Sequence, residues 1–210
     1  MLATFEIDDD GIWRGSRGFS LSGPEWIVRH LFEIARKARM MACKGGDKEQ
    51  ISSDALTVII FSVTALEAFL NGYFSMEANQ LSDMDKRQKI SKMINGKNNI
   101  KDKMKKMPRL CWGKSIESTS EWYEWIKKAI EIRHKAVHPK PDCHTFKQGD
   151  IVINGLSDVS VFKELDADFA SNVLESTIVF VQRMGEFSGL GQDELKFHLT
   201  RWTGHEINNH

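Results

Sequence analysis

Cysteine is scarce in this chain: 210 residues hold three, Cys43, Cys111 and Cys143. An odd number at scattered spacings excludes a disulfide framework as the basis of the fold and points to reduced thiols. A long apolar run is missing too. The longest, Leu56 to Leu66, is broken by Ser62 and Thr64 and closed by Glu67, which is too short to cross a bilayer. There is no internal repeat and no low-complexity tract, and the glycines between Gly11 and Gly18 are too irregular to form a phosphate-cradling loop. Met1-Leu2-Ala3-Thr4-Phe5-Glu6 does not read as a secretion signal, so the expectation is a cytoplasmic protein that does not engage a membrane. Net charge is lacking as well, since 29 Lys and Arg balance 29 Asp and Glu.

What remains is an ordinary globular composition, 41% hydrophobic and 28% charged, with ample material for one core. Apolar residues recur at helical spacing over about 24–43, 54–79, 85–108, 118–137 and 166–188. Five such helices with short connections predict an all-α protein, an antiparallel up-and-down bundle of about five main helices. Residues 1–21 read as an irregular arm, 22–190 as the bundle, and 191–210 as a tail whose Leu195, Phe197, Leu199 and Trp202 suffice for a short docked helix. Ser22 and Glu25 form a capping-box pattern around Pro24 at the first helix, whose expected inner face is Ile27, Leu31, Ile34, Ala38 and Met41. The second helix is apolar on several sides, as a helix surrounded by others would be. In the basic stretch, Asn95-Gly96 and Asn98-Asn99 mark a turn between two helices, and Pro108 ends or kinks the second. Phe146, a turn at Gln148-Gly149-Asp150, and Ile151-Val152-Ile153 read as a short β-hairpin insertion over Thr145 to Asn154.

Two charges fall where apolar residues belong. Glu67 lies inside the stripe of the second helix, and Arg133 lies on or beside that of Trp122, Trp125, Ile126, Ala129 and Ile132. Each is costly there without a partner, so the two are expected to pair. His138 follows Arg133 by five positions, roughly 140° away on an unbroken helix. Pro139 biases His138 out of the helical region, which predicts that the chain unwinds and swings the imidazole back toward the arginine. A forked, permanent cation beside a group that carries a proton near neutral pH suits phosphodiester chemistry.

Charge is also segregated. Residues 85–114 hold eleven Lys or Arg against Asp85 and Asp102, a net +9 in a chain that sums to zero. Such a segment attracts a polyanion, or else is a solvated helical face. Lys101, Lys103, Lys105, Lys106 and Arg109 are the candidate RNA-binding residues. A metal site at His134 and His138, with Asp142, Cys143 or His144 completing it, fits no zinc spacing, so neither metal nor cofactor is expected. A nucleophile pair from adjacent Cys143 and His144 is disfavoured because neighbouring residues seldom face each other.

Arg133-His134, three further residues and His138 resemble the signature of the HEPN superfamily: an arginine, a polar residue, and a histidine after four to six intervening positions. Ser62 to Asn71 resembles the core helix that precedes this motif in bacterial HEPN-type proteins. The resemblance implies a helical bundle, a homodimer through the motif helices, and metal-independent cleavage of RNA by attack of a ribose 2′-hydroxyl on the adjacent phosphate. It would make His138 the general acid or base, Arg133 the group that stabilises the phosphorane, Glu67 the residue that orients Arg133, and His134 a secondary polar contact. A toxin or phage-defence role follows from the same resemblance, with a cognate inhibitor (antitoxin) protein as a further partner. Two other readings stay open: a catalytically silent nucleotide- or RNA-binding relative, and a helical interaction protein in which Arg133 and Glu67 are a structural tie.

Overall fold

The computed structural model describes the backbone of residues 5–7, 12–15, 20–138, 144–148, 151–156, 162 and 165–205, and the side chains of 23–138, 162 and 165–205. Seven helices appear among the described residues: α1 (Pro24–Lys44), α2 (Lys48–Gln80), α3 (Met84–Asn95), α4 (Ile100–Trp112), α5 (Glu121–Val137), α6 (Ala167–Ser188) and α7 (Gln192–Thr203). The fold is all-α, and the expected count of about five main helices is corrected to seven among the described residues. The basic stretch divides in two at Gly96, and the tail helix α7 buries Leu195, Leu199 and Trp202 in the core.

Helix α2 is the axis of the bundle, touching α1, α3, α4, α5 and α6. Its start is six residues before Asp54, because the Asp47 carboxylate accepts the Gln50 N–H at 2.8 Å and the polar first turn is good helix-forming sequence. By length and composition this helix could cross a membrane, and half of its apolar window is buried inside the bundle. Its buried residues surround it: Val58, Ile59, Val63, Leu66, Phe69, Leu70 and Phe74 are all fully enclosed. At its far end Arg87 donates to the carbonyls of Ala78, Asn79 and Leu81, closing the terminus that would otherwise leave acceptors unpaired.

Helices α1 and α2 run antiparallel in close contact: a Cβ added to Gly72 would lie 2.6 Å from the Pro24 Cβ. The face that α1 buries is Val28, Phe32, Ala35 and Ala42, while Ile27 and Met41 of the expected stripe are exposed. The expected capping box is also corrected, since Gly23 is the N-cap, no side chain caps it, and Glu25 pairs with Arg201 of α7. Pro108 neither ends nor divides α4, which continues to Trp112 and stops at Gly113 in the left-handed conformation, φ 70°. Helix α6 is capped by Asp166 and turns at Gly189.

Outside the helices, β1 (Phe5–Ile7), β2 (Ile12–Gly15) and β3 (Ser20–Ser22) pair antiparallel in sequence order, so the arm is regular at these positions. The hairpin expected as an insertion is not an element of the helical body. Strands β4 (His144–Gln148) and β5 (Ile151–Leu156) pair mainly with each other and add no layer to it.

Candidate functional site

Glu67 stands midway along α2 and Arg133 in the last turns of α5, where the two helices pack together. The expected pairing is present: Arg133 Nη2 lies 3.4 Å from Glu67 Oε2, with the side chains 24% and 33% exposed. This is one long contact and not a bidentate fork. Arg133 Nε is buried and has no hydrogen-bond partner. The guanidinium is therefore held but incompletely satisfied, and an unmatched buried donor costs about 1–3 kcal/mol.

Arg133 faces an open cleft of about 510 Å³ between the start of α4 and the end of α5. Glu67, Lys101, Glu131, His134 and Lys135 share its wall, and Ile100 and Ile130 give it an apolar part. Lys101 Nζ donates to Glu131 Oε1 at 2.8 Å across the cleft, and that lysine holds the Glu131 carboxyl below its ordinary pKa. Asn99 caps α4 beside them, accepting the Asp102 N–H, so the positive end of this helix opens on the same space.

His138 does leave the helical region, at φ −125° and ψ 64°, while its N–H still donates to the His134 carbonyl at 2.9 Å. The imidazole does not close on Arg133 as expected. It rests against His134, the ring centroids 5.3 Å apart and tilted by 54°. His134 lines the cleft, His138 is not among the lining residues, and both are exposed. The unwinding at His138 thus frees the ring without fixing it beside the arginine.

The five basic residues of α4 separate into different roles. Lys103 is corrected: it is only 3% exposed and donates to Asn71 Oδ1 at 2.9 Å, so it is a buried tie between α4 and α2 and has no surface to offer RNA. Lys101 is engaged at the cleft by Glu131, and Lys106 pairs with Asp102 at 3.0 Å. Lys105 lies over the Tyr123 ring at 5.5 Å, and Arg109 is exposed. Lys86, Lys89 and Lys92 of α3, like Lys105, Lys106 and Arg109 of α4, are exposed.

Two functional candidates are not evident from the sequence pattern used above. Glu131 is an exposed helix residue with no apolar context to single it out. Glu77, a second carboxylate in the apolar helix α2, lies in a separate cleft with Tyr73, and its sequence signal is the same misplaced charge that reveals Glu67. Among the described residues no group of three His, Cys, Asp or Glu is placed to hold a metal; Asp142 and Cys143, and the side chain of His144, lie outside them. Compared with protein-family models, with curated proteins and with solved structures, the chain matches none.

Proposed function

We propose that the Arg133 cleft is a metal-independent ribonuclease site of HEPN type. The observation that carries this reading is the half-satisfied guanidinium. Glu67 orients Arg133 through a single long contact to Nη2, on the wall of an open cleft, which suits an arginine that completes its hydrogen bonding on a phosphate. In this mechanism the ribose 2′-oxygen attacks the neighbouring phosphorus, the 5′-oxygen leaves with a proton, and a cyclic phosphate and a 5′-hydroxyl result. His138 carries one of the protons, Arg133 bears against the phosphorane charge, and His134 contacts the same phosphate. Lys105, Lys106 and Arg109 draw the RNA to the cleft without reading its sequence.

His138 rests on His134 in the single chain, so the reacting constellation needs a second element to complete it. A homodimer through the α5 helices supplies one, by placing two copies of Arg133 and His138 around a shared cleft. The toxin or defence role and a protein inhibitor belong to this same proposal.

The test is cleavage of labelled single-stranded and structured RNA in EDTA. His138→Ala is expected to lose about 10²–10⁴-fold in rate, as for a general acid or base. Arg133→Ala is expected to lose about 10²–10³-fold while remaining folded by circular dichroism. A second reading, a silent RNA-binding module, is favoured by the packing of His138 on His134, outside the lining of the cleft. It predicts salt-sensitive RNA binding that is unchanged in His138→Ala and no cleavage by the native protein.

A further inference from the structure

His134 and His138 close α5 as an exposed pair one turn apart. Their ring centroids lie 5.3 Å from each other, and the planes are tilted by 54°. The tilt matters because an imidazole lone pair lies in the plane of its ring. Parallel rings have no point on which two such lone pairs can converge, whereas crossed planes share one. Trp26 and His30 on α1 show the other arrangement, a flat stacking contact 5.4 Å apart and 3° from parallel. The separation fits convergence as well. A ring nitrogen binds a divalent ion at about 2.0–2.1 Å, which puts the ring centroid about 3.2 Å from the metal; two rings at neighbouring positions of a tetrahedral or octahedral ion then stand about 4.5–5.3 Å apart.

Neither imidazole has a hydrogen-bond or ion-pair partner among the described residues, so no described side chain competes for its lone pair. The surroundings also favour a cation. Glu131 lies one turn before His134 on the same face of α5, and Lys101 holds its carboxyl below the ordinary pKa, so it stays ionised. The carbonyls that end α5 add the negative pole of the helix. Both offset the repulsion that Arg133 and Lys135 exert on a dication.

We propose that His134 and His138 chelate one divalent transition-metal ion of the kind that imidazole suits, Zn²⁺ or Ni²⁺, with water in the remaining positions. Two protein ligands make this an exchangeable site and not a structural one, since no third His, Cys, Asp or Glu is placed to join them among the described residues. Mg²⁺ is excluded because it takes oxygen ligands. The bound ion inhibits the Arg133 site, a consequence that rests on the ribonuclease reading, in which His138 carries a proton. A nitrogen whose lone pair is held by a metal cannot accept one.

Calorimetric titration of the full chain with NiCl₂ alone is expected to show saturable binding that MgCl₂ does not compete away. His134→Asn and His138→Asn, both at exposed positions, are each expected to weaken it about tenfold or more, the loss of one arm of a two-armed ligand. In RNA cleavage without EDTA, Ni²⁺ is expected to inhibit the native protein over the concentrations at which it binds, and excess EDTA to restore the rate. The site is overturned if Ni²⁺ does not saturate the chain at millimolar concentration, or if either variant binds as tightly as the native chain. Cleavage that continues in the Ni²⁺-saturated protein overturns the inhibitory role. Saturable Ni²⁺ binding by a protein that cleaves no RNA even in EDTA supports the site while the ribonuclease reading fails.

Discussion

At the scale of single residues, burial decides which reactive groups are used. Cys111 is half-buried near Glu77, and desolvation pushes its thiol up to about 12, whereas Cys43 is exposed. Only a thiolate is nucleophilic, so iodoacetamide at neutral pH is expected to label Cys43 and spare Cys111 until the protein is denatured; peptide mapping reads this directly. His198 gives a second residue-level prediction. Its pKa is lowered first by burial and further by Arg201, with the Val181 carbonyl opposing. The unfolded chain therefore binds a proton at a pH where the folded chain does not, and stability falls as pH drops below the ordinary histidine value toward the folded one. Urea unfolding followed between pH 7.5 and 5 is expected to show this slope, reduced in His198→Gln, which keeps a donor for Val181. The Arg133 and Glu67 pair is legible in the sequence for the same underlying reason: a charge in an apolar stripe must find a partner. The His138 position is not, because Pro139 predicts where the backbone leaves the helix but not which neighbour the freed ring meets.

At the scale of elements, caps and close approaches set the helices. Asp47 fixes the start of the central helix, whereas apolar spacing alone marks it only from Asp54. Asp47→Ala is expected to cost about 1 kcal/mol in the unfolding free energy. Gly72 lets α1 and α2 approach at Pro24, whose rigid ring cannot give way. Gly72→Ala gains about 1 kcal/mol of helix propensity yet is expected to lose about 1–3 kcal/mol to the clash, a net loss measurable by denaturant titration. Helix α1 shows how far periodicity reaches. It carries two apolar stripes, and the one with the more regular spacing, Ile27 to Met41, is the one that tertiary packing leaves partly exposed. Periodicity establishes that a helix forms; only its neighbours choose which stripe is covered. Pro108 teaches the same restraint, since a helix can carry a proline through when the missing hydrogen bond is the only penalty that matters.

At the scale of the whole molecule, the basic segment divides by its neighbours: Lys101 of α4 lines the Arg133 cleft, while α3 follows directly from the end of α2 that carries Glu77. Counting charges along the sequence detects the basic segment but assigns all its cations to one purpose. Arg87 closes α2 and Lys103 ties α4 to α2, roles visible only once the helices are assembled. Replacing Lys105, Lys106 and Arg109 together by Gln is expected to weaken RNA binding uniformly across sequences. It should also reduce the slope of log affinity against log salt by about 2–3, near 0.7 to 0.9 for each phosphate that is no longer neutralised. Lys103→Ala is expected to lower stability and leave that slope unchanged.

The measurement that bears most directly on the central claim is the chemistry of the RNA ends formed in EDTA, read by mass spectrometry. The account predicts 2′,3′-cyclic phosphate and 5′-hydroxyl ends from the native protein, and no such ends from folded His138→Ala. Intact RNA at high protein concentration, or cleavage that leaves 3′-hydroxyl ends or persists in His138→Ala, would contradict it.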